Sequence, residues 1–277
     1  MSQDSHTTPG SFHGNVRNHY RIIKRKCSQL KELTYLYKII DFNDFINYLI
    51  KSRHYFPNIL KELFLTLKQS LNKTDISDHL IPLLFETLMV KPRLIVELGV
   101  RGGESTSVFE RVARLCGSIL VGVDLEDCSD ICGYRDWIFI QRDDLEFAAE
   151  FKDWSRKKMI QPQIDILSID TSHLLEHTIL EINNYFPYLS DKSKVFLHDT
   201  NLKEIYFRKD GSTGQGWNNE RGVIRALEVY FNKLFDEERP FLDFVDPFLI
   251  KHNPYSCGFT ILEKVAANNL NYWVNLK

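Results

Sequence analysis

Two short runs hold the residue types best suited to chemistry: Asp170-Thr-Ser-His173 and His198-Asp-Thr-Asn201. Each follows an apolar stretch, Ile164–Ile169 and Lys194–Leu197, that reads as a strand. Neighbouring parallel strands would bring Asp170 and Asp199 to one rim, where two carboxylates repel unless a proton or cation lies between them. Oxygen ligands suit a hard divalent ion, Mg²⁺ foremost, and neutral imidazole at His173 or His198 is the right base for a proton near pH 7. The plain alternative is that both Asp residues cap the turns that follow them.

A third run lies upstream, Leu94-Ile-Val-Glu-Leu-Gly-Val-Arg-Gly-Gly-Glu-Ser-Thr-Ser107. An apolar strand ends in Glu97 and then turns through glycines into a helix. Such a turn lets backbone N–H groups and the positive helix end approach an anionic or polar ligand, while Glu97 suits a cationic one. A dinucleotide site would need glycines at the first, third and sixth places of the turn. Here Gly99 is followed by Val100 and Arg101, and glycine returns only at Gly102 and Gly103, so the spacing fails.

These residues need a scaffold that delivers them to one edge. From Lys91-Pro92 onward, short β-branched runs alternate with helical patterns, which predicts βαβ units and a mostly parallel sheet. Strands are expected at 93–98, 119–124, 137–140, 164–169, 194–198, 241–246 and 257–263, and helices at 104–117, 145–158, 175–188 and 219–235. The loop between the last two strands is too short for a crossover helix and predicts an antiparallel closing hairpin. The expected fold is α/β: doubly wound, seven-stranded and Rossmann-like. Ligands in such sheets bind beyond the carboxyl ends of the strands.

The spacing Glu97, Gly99, Gly103 resembles motif I of the class I S-adenosylmethionine-dependent methyltransferases. Over residues 92–263 further positions fall in the order of that family, and the closing hairpin is a hallmark of its sheet. The resemblance implies that Glu97, Gly99 and Gly103 hold the methionine portion of S-adenosylmethionine and that Asp124, ending the second strand, accepts from the ribose hydroxyls. Asp143 would read the adenine amino group, although Arg142 stands where the family has glycine and Asp144 is an alternative. The pairing of Asp170-x-x-His173 with His198-Asp199 resembles the metal-dependent macrocin and rhamnosyl O-methyltransferases and the cephalosporin-hydroxylase-like group. That implies Mg²⁺ on Asp170 and Asp199, with Asn201 or water as third ligand and His173 or His198 as base. The implied acceptor is a small molecule or glycan hydroxyl. A metal-independent or N-directed enzyme, or a cofactor-binding subunit without turnover, remains open.

The chain has 277 residues, a formal net charge of −2 and 43% hydrophobic residues, ordinary for a folded protein and without a global pull towards nucleic acid. No apolar run is long enough for a transmembrane segment and the polar start lacks a signal-peptide core, so a cytoplasmic location is expected. Five scattered cysteines suggest reduced thiols, and Cys128 and Cys132 lack a second pair at zinc-finger spacing. Residues 1–18 read as a disordered tail, 19–91 as an N-terminal helical region and 92–277 as the catalytic domain. Within the helical region Arg17, Arg21, Lys24, Arg25 and Lys26 read as a solvated basic face. Apolar stripes, including Leu60, Leu63, Phe64 and Leu67, need cover from the main domain or from a second subunit in a homodimer. His177, one turn after His173, reads as structural or surface. The Gly-punctuated stretch between Leu202 and Asn218 is expected to be a lid, with Tyr206, Phe207, Arg208 and Trp217 available to close over an acceptor.

Overall fold

The computed structural model describes residues 56–265. The predicted disordered tail, the basic cluster and the apolar stripes before residue 56 lie outside the described residues.

Five strands, Leu94–Leu98 (β1), Ile119–Asp124 (β2), Trp137–Gln141 (β3), Ile164–Ile169 (β4) and Leu189–His198 (β5), pair in parallel in the order β3-β2-β1-β4-β5. β1 is buried along its whole length, because helices cover both faces of a parallel sheet and leave no polar side for alternation. Helices Glu104–Cys116 (α3), Asp144–Lys157 (α4), Leu175–Tyr185 (α5) and Gly222–Phe231 (α6) supply part of that cover. Ile182, Tyr185 and Leu227 from α5 and α6 join Leu98, Leu167 and Val195 in the core. Strand order reverses between β1 and β4, so their carboxyl ends flank the crevice where ligands of this architecture bind.

The rest of the sheet corrects the expected count of seven strands to eight. Beyond β5 come Phe259–Lys264 (β10), Phe248–Asn253 (β9) and Phe241–Val245 (β8), each antiparallel to its neighbour. The sequence reading missed β9 because it carries Lys251 and His252, charged and polar residues that argue against a buried strand. Both are buried all the same: Lys251 Nζ reaches Glu86 at 3.0 Å and Glu263 at 2.8 Å, and His252 Nε2 lies 2.8 Å from the Glu237 carbonyl. Two short strands, Ile205–Phe207 (β6) and Thr213–Gln215 (β7), form a separate hairpin.

Helix Leu80–Val90 (α2) is buried nearly all round, the signature of a helix inside a core rather than on a surface. Its Glu86 carboxylate meets Lys194 of β5 as well as Lys251. The preceding helix Phe56–Ser70 (α1) buries Ile59, Leu63 and Thr66 and leaves Phe64 and Leu60 exposed. Its buried face is therefore rotated from the predicted stripe. The reason is polar: Arg111 of α3 donates to Thr66 Oγ1 at 2.9 Å and to Gln69 Oε1 at 2.7 Å, which turns that side inward. No helix among the described residues is long and apolar enough to cross a membrane. The described cysteines, Cys116, Cys128, Cys132 and Cys257, are free thiols.

Candidate active site

The turn after β1 is shaped by contact rather than by sequence alone. Gly99 has φ +85°, and a Cβ there would fall 2.1 Å from the Asp170 carbonyl oxygen, a distance no side chain can occupy. Removing the side chain at 99 thus lets the end of β1 touch the end of β4. Gly103, φ +76°, is the N-cap of α3. Between this turn and Asp170 lies a cleft of about 260 Å³, also lined by Thr74, Asp75 and Ile76 from the segment before α2. Nothing in the spacing of residues 74–76 marks them, since only the fold brings them here.

Glu97 does not line that cleft. Its side chain is fully buried beneath the turn, where Oε1 accepts from Ser105 Oγ at 2.5 Å and Oε2 has no hydrogen-bond partner. Burial, helped by the negative charges of Asp170 and Asp124, pushes its carboxyl up to about 8. Asp124, at the end of β2, accepts from the backbone N–H groups of Val100 at 2.8 Å, Arg101 at 3.0 Å and Glu126 at 3.0 Å. Partial burial works against its charge, yet these donors hold its carboxyl below the usual range. Asp143 caps α4, with Oδ1 accepting from Leu145 and Glu146 N–H. Asp144, the alternative to Asp143, has its carboxylate against His177 Nε2 at 3.0 Å.

At the ends of β4 and β5 the structure gathers all four remaining predicted residues. His198 Nδ1 lies 3.3 Å from Asp170 Oδ1 and 3.3 Å from Asp199 Oδ1. His173 Nε2 lies 3.1 Å from Asp199 Oδ2, and its Nδ1 is 4.0 Å from Asp170 Oδ1. Burial would strip His198 of its proton, but the flanking Asp199 and Asp170 outweigh it and keep the imidazole charged well above its ordinary range. Burial would likewise raise Asp199, but His198 and then His173 hold its carboxyl down at about 2. His79 stands 5.8 Å from His198, ring to ring, with Nε2 bonded to the Tyr255 and Ser256 carbonyls; burial and the His198 charge keep it neutral.

Four of the non-glycine residues with left-handed backbone gather here. His173 (φ 58°), Asp199 (φ 57°), Ser256 (φ 44°) and Cys257 (φ 68°) all occupy the left-handed region. Non-glycine residues in that region cost free energy and gather where geometry serves a site. Asn201, predicted with water as the alternatives for a third metal ligand, donates from Nδ2 to the Pro254 carbonyl at 3.0 Å and leaves its buried Oδ1 without a hydrogen bond. The group whose ligand atoms lie within 4.8 Å of one another is Asp170, His173 and Asp199.

The loop between Leu202 and Asn218 is an ordered hairpin. Buried Arg208 donates to the carbonyls of Lys73 (3.1 Å), Thr74 (3.0 Å) and Thr213 (2.7 Å) and to Tyr206 Oη (2.9 Å). Tyr206 and Arg208 therefore face inward, whereas Phe207 and Trp217 stay exposed and the Trp217 ring lies 6.0 Å from that of His173.

Residues 96–200 match the family model described as a methyltransferase domain. That stretch of the chain carries a methyltransferase domain. The match begins inside β1 and ends one residue past Asp199, so it spans the glycine turn and both carboxylate-bearing strand ends. No curated protein matches the chain. Among solved structures, the MycE methyltransferase of the mycinamycin biosynthetic pathway, bound to Mg, SAH and mycinamycin VI, is 20% identical with a TM-score of 0.40, covering 62% of this chain and 44% of that one. The chain thus spans less than half the length of MycE. An O-methyltransferase from Bacillus cereus in complex with SAH is 15% identical (TM-score 0.46; 75% and 90% covered). A methyltransferase from Geobacter sulfurreducens is also 15% identical (TM-score 0.45; 67% and 77% covered).

Proposed function

We propose that the domain transfers the methyl group of S-adenosylmethionine to a hydroxyl oxygen of a small polyhydroxylated acceptor. The observation that carries this reading is the contact of Gly99 with the Asp170 backbone, which joins the cofactor turn directly to the strand end bearing the carboxylate–imidazole ring. Methyl transfer from a sulfonium is an in-line displacement that needs alignment and little covalent help from the protein. The cleft at the glycine turn would take the methionine portion, with Asp170 and Asp75 offering negative charge to its ammonium group. Asp124, its carboxylate held by backbone donors at the end of β2, would accept from the ribose hydroxyls, and Asp143, past the following strand, would read the adenine.

The acceptor would approach from the other side of Asp199, where a cleft of about 450 Å³ begins at Thr200 and is lined by Asn201, Lys203, Glu204 and Asn218. Polar walls there, and the exposed faces of Trp217 and Phe207 near the rim, suit a sugar-like ring. His173 is the proton acceptor of this reading. Its Nε2–H donates to Asp199, which leaves Nδ1 to take the hydroxyl proton as the C–O bond forms and the C–S bond breaks; Asp170 stands close enough to stabilise the imidazolium. His198 is less suited, because its Nδ1 is held between two carboxylates and its Nε2 lies 3.3 Å from the Asp75 carbonyl.

The residues present also fit a divalent ion: Asp170 and Asp199 would hold it, and buried Asp199 Oδ1 accepts no hydrogen bond. When bound, such an ion would lower the pKa of an acceptor hydroxyl. The imidazole of His173 beside the two carboxylates favours Mn²⁺ or Zn²⁺ over Mg²⁺, which prefers oxygen throughout. A second reading rests on His198: an imidazolium 3.3 Å from both carboxylates already supplies the positive charge a metal would bring. The test is methyl transfer from labelled S-adenosylmethionine to a panel of sugar and phenol hydroxyls, before and after EDTA and after adding back Mg²⁺ or Mn²⁺. Loss with EDTA and recovery with Mn²⁺ supports the metal; full activity in EDTA gives the role to His198. No transfer to any hydroxyl by protein that binds S-adenosylhomocysteine would overturn the O-methyltransferase reading.

A further inference from the structure

We propose that Asp144, His177 and Glu181 form a second divalent-metal site, for a borderline ion such as Zn²⁺, between the N-terminal turn of α4 and one face of α5. The site is separate from the rim and does not depend on the methyl-transfer reading. The three side chains each offer one ligand atom, and these lie within 4.8 Å of one another. His177 and Glu181 are four residues apart on α5, the spacing that puts two ligands on one helix face. His177 Nε2 lies 3.0 and 3.2 Å from the two oxygens of Asp144 and 3.9 Å from Glu181 Oε1. An ion with bonds of roughly 2.0–2.2 Å at tetrahedral or octahedral angles holds its ligand atoms about 2.8–3.6 Å apart, so side-chain movements of at most about 1 Å would complete the set.

An ion pair alone leaves this cluster unbalanced. One imidazolium can neutralise one carboxylate, but Glu181 is fully buried and has a second oxygen, Oε2, that accepts no hydrogen bond. A buried carboxylate oxygen without a donor is costly, and a cation removes the cost at both acids together. The donor set of one nitrogen and two carboxylates suits Zn²⁺ or Co²⁺ better than Mg²⁺. Outer contacts are in place: Thr171 Oγ1 donates to Glu181 Oε1 at 2.6 Å, and Tyr185 Oη donates to the Asp144 carbonyl at 2.6 Å. The His177 side chain keeps 23% of its surface exposed, which provides an entry path and room for water as a fourth ligand. Through Thr171, such an ion would brace the loop that carries Asp170 and His173.

The experiment is a Co²⁺ and Zn²⁺ titration of the whole protein, read by calorimetric stoichiometry and by Co²⁺ visible absorption, in wild type, Asp199→Asn and the double variant Asp199→Asn/His177→Ala. Asp199→Asn disables the rim, so one equivalent should still bind to that variant and none to the double variant. Zn²⁺ should shift the imidazole ¹⁵N resonances of His177 in the wild-type protein, a readout independent of whether any variant folds. Two results would overturn the site: binding that vanishes in Asp199→Asn with no change at His177, or an undiminished equivalent in the double variant. An infrared carboxylic-acid band that Zn²⁺ leaves in place and Glu181→Gln removes would show that a proton, not a metal, balances the cluster.

Discussion

Two buried groups of charged side chains stand on the same sheet and behave in opposite ways. At the carboxyl ends of β4 and β5, Asp170, His173, His198 and Asp199 come together, with His173 and Asp199 on left-handed backbone and Asp199 Oδ1 without a hydrogen bond. Along β5, β9 and β10, Glu86, Lys194, Lys251 and Glu263 lie on regular helix and strand, with two carboxylates matched to two ammonium groups. Burial lifts carboxylates, yet Lys194 and Lys251 keep Glu86 below its ordinary range and hold Glu263 at about 2. Burial of charge therefore does not distinguish function from architecture. The two groups differ instead in the left-handed backbone at His173 and Asp199 and in the carboxylate oxygen left without a hydrogen bond.

The contrast yields a double dissociation. His173→Ala should lower kcat on the order of 10²–10⁴-fold, the usual worth of a positioned base, or roughly 3–5.5 kcal/mol in barrier. Its urea midpoint should barely move. Glu86→Ala should do the reverse: with two ammonium groups left facing one carboxylate, unfolding should become easier by about 3–5 kcal/mol, with kcat of the folded fraction unchanged. Equal loss of activity in both variants would erase the distinction.

Glu97 sharpens it further. Its folded carboxyl titrates at about 8 against an ordinary 4.5, so between those values the folded state holds a proton that the unfolded chain releases. Stability contributed by this group is present below pH 4.5 and lost as pH rises to 8, by a few kcal/mol at about 1.4 kcal/mol per unit. In Glu97→Gln that decline should disappear from denaturation curves measured across pH 4.5–8. The smallest effect is expected at Arg208: Arg208→Ala removes the buried guanidinium and should cost about 1–3 kcal/mol, checked by faster amide exchange in the β6–β7 hairpin.

How far these features can be read without coordinates depends on whether the signal is local. Strands β1, β2, β4 and the end of β5 announce themselves because they are buried and run apolar, as does the half-buried edge strand β3, and Gly99, Gly103, Asp124, Asp143, Asp170 and Asp199 follow at or just past those runs; the polar start of β5 escapes that reading. β9 hides because Lys251 and His252 find partners on α2 and in the loop at Glu237, far away in sequence. Ser105 beneath Glu97, and Asp75 in the cleft, are equally silent: an acid in a motif does not say whether it meets a ligand or a hydroxyl of its own helix. The hairpin aromatics divide for the same reason, with Tyr206 drawn inward by Arg208 and Phe207 left outward.

The grip of Arg208 has one more effect. Its guanidinium joins the hairpin to the carbonyls of Lys73 and Thr74, beside the Lys73–Asp210 ion pair, and Thr74 and Asp75 wall the glycine-turn cleft. Under the proposed reading, a displacement of the hairpin that admits the acceptor would pull on the wall of the cleft that takes the methionine portion, so the two entrances would share one hinge pin.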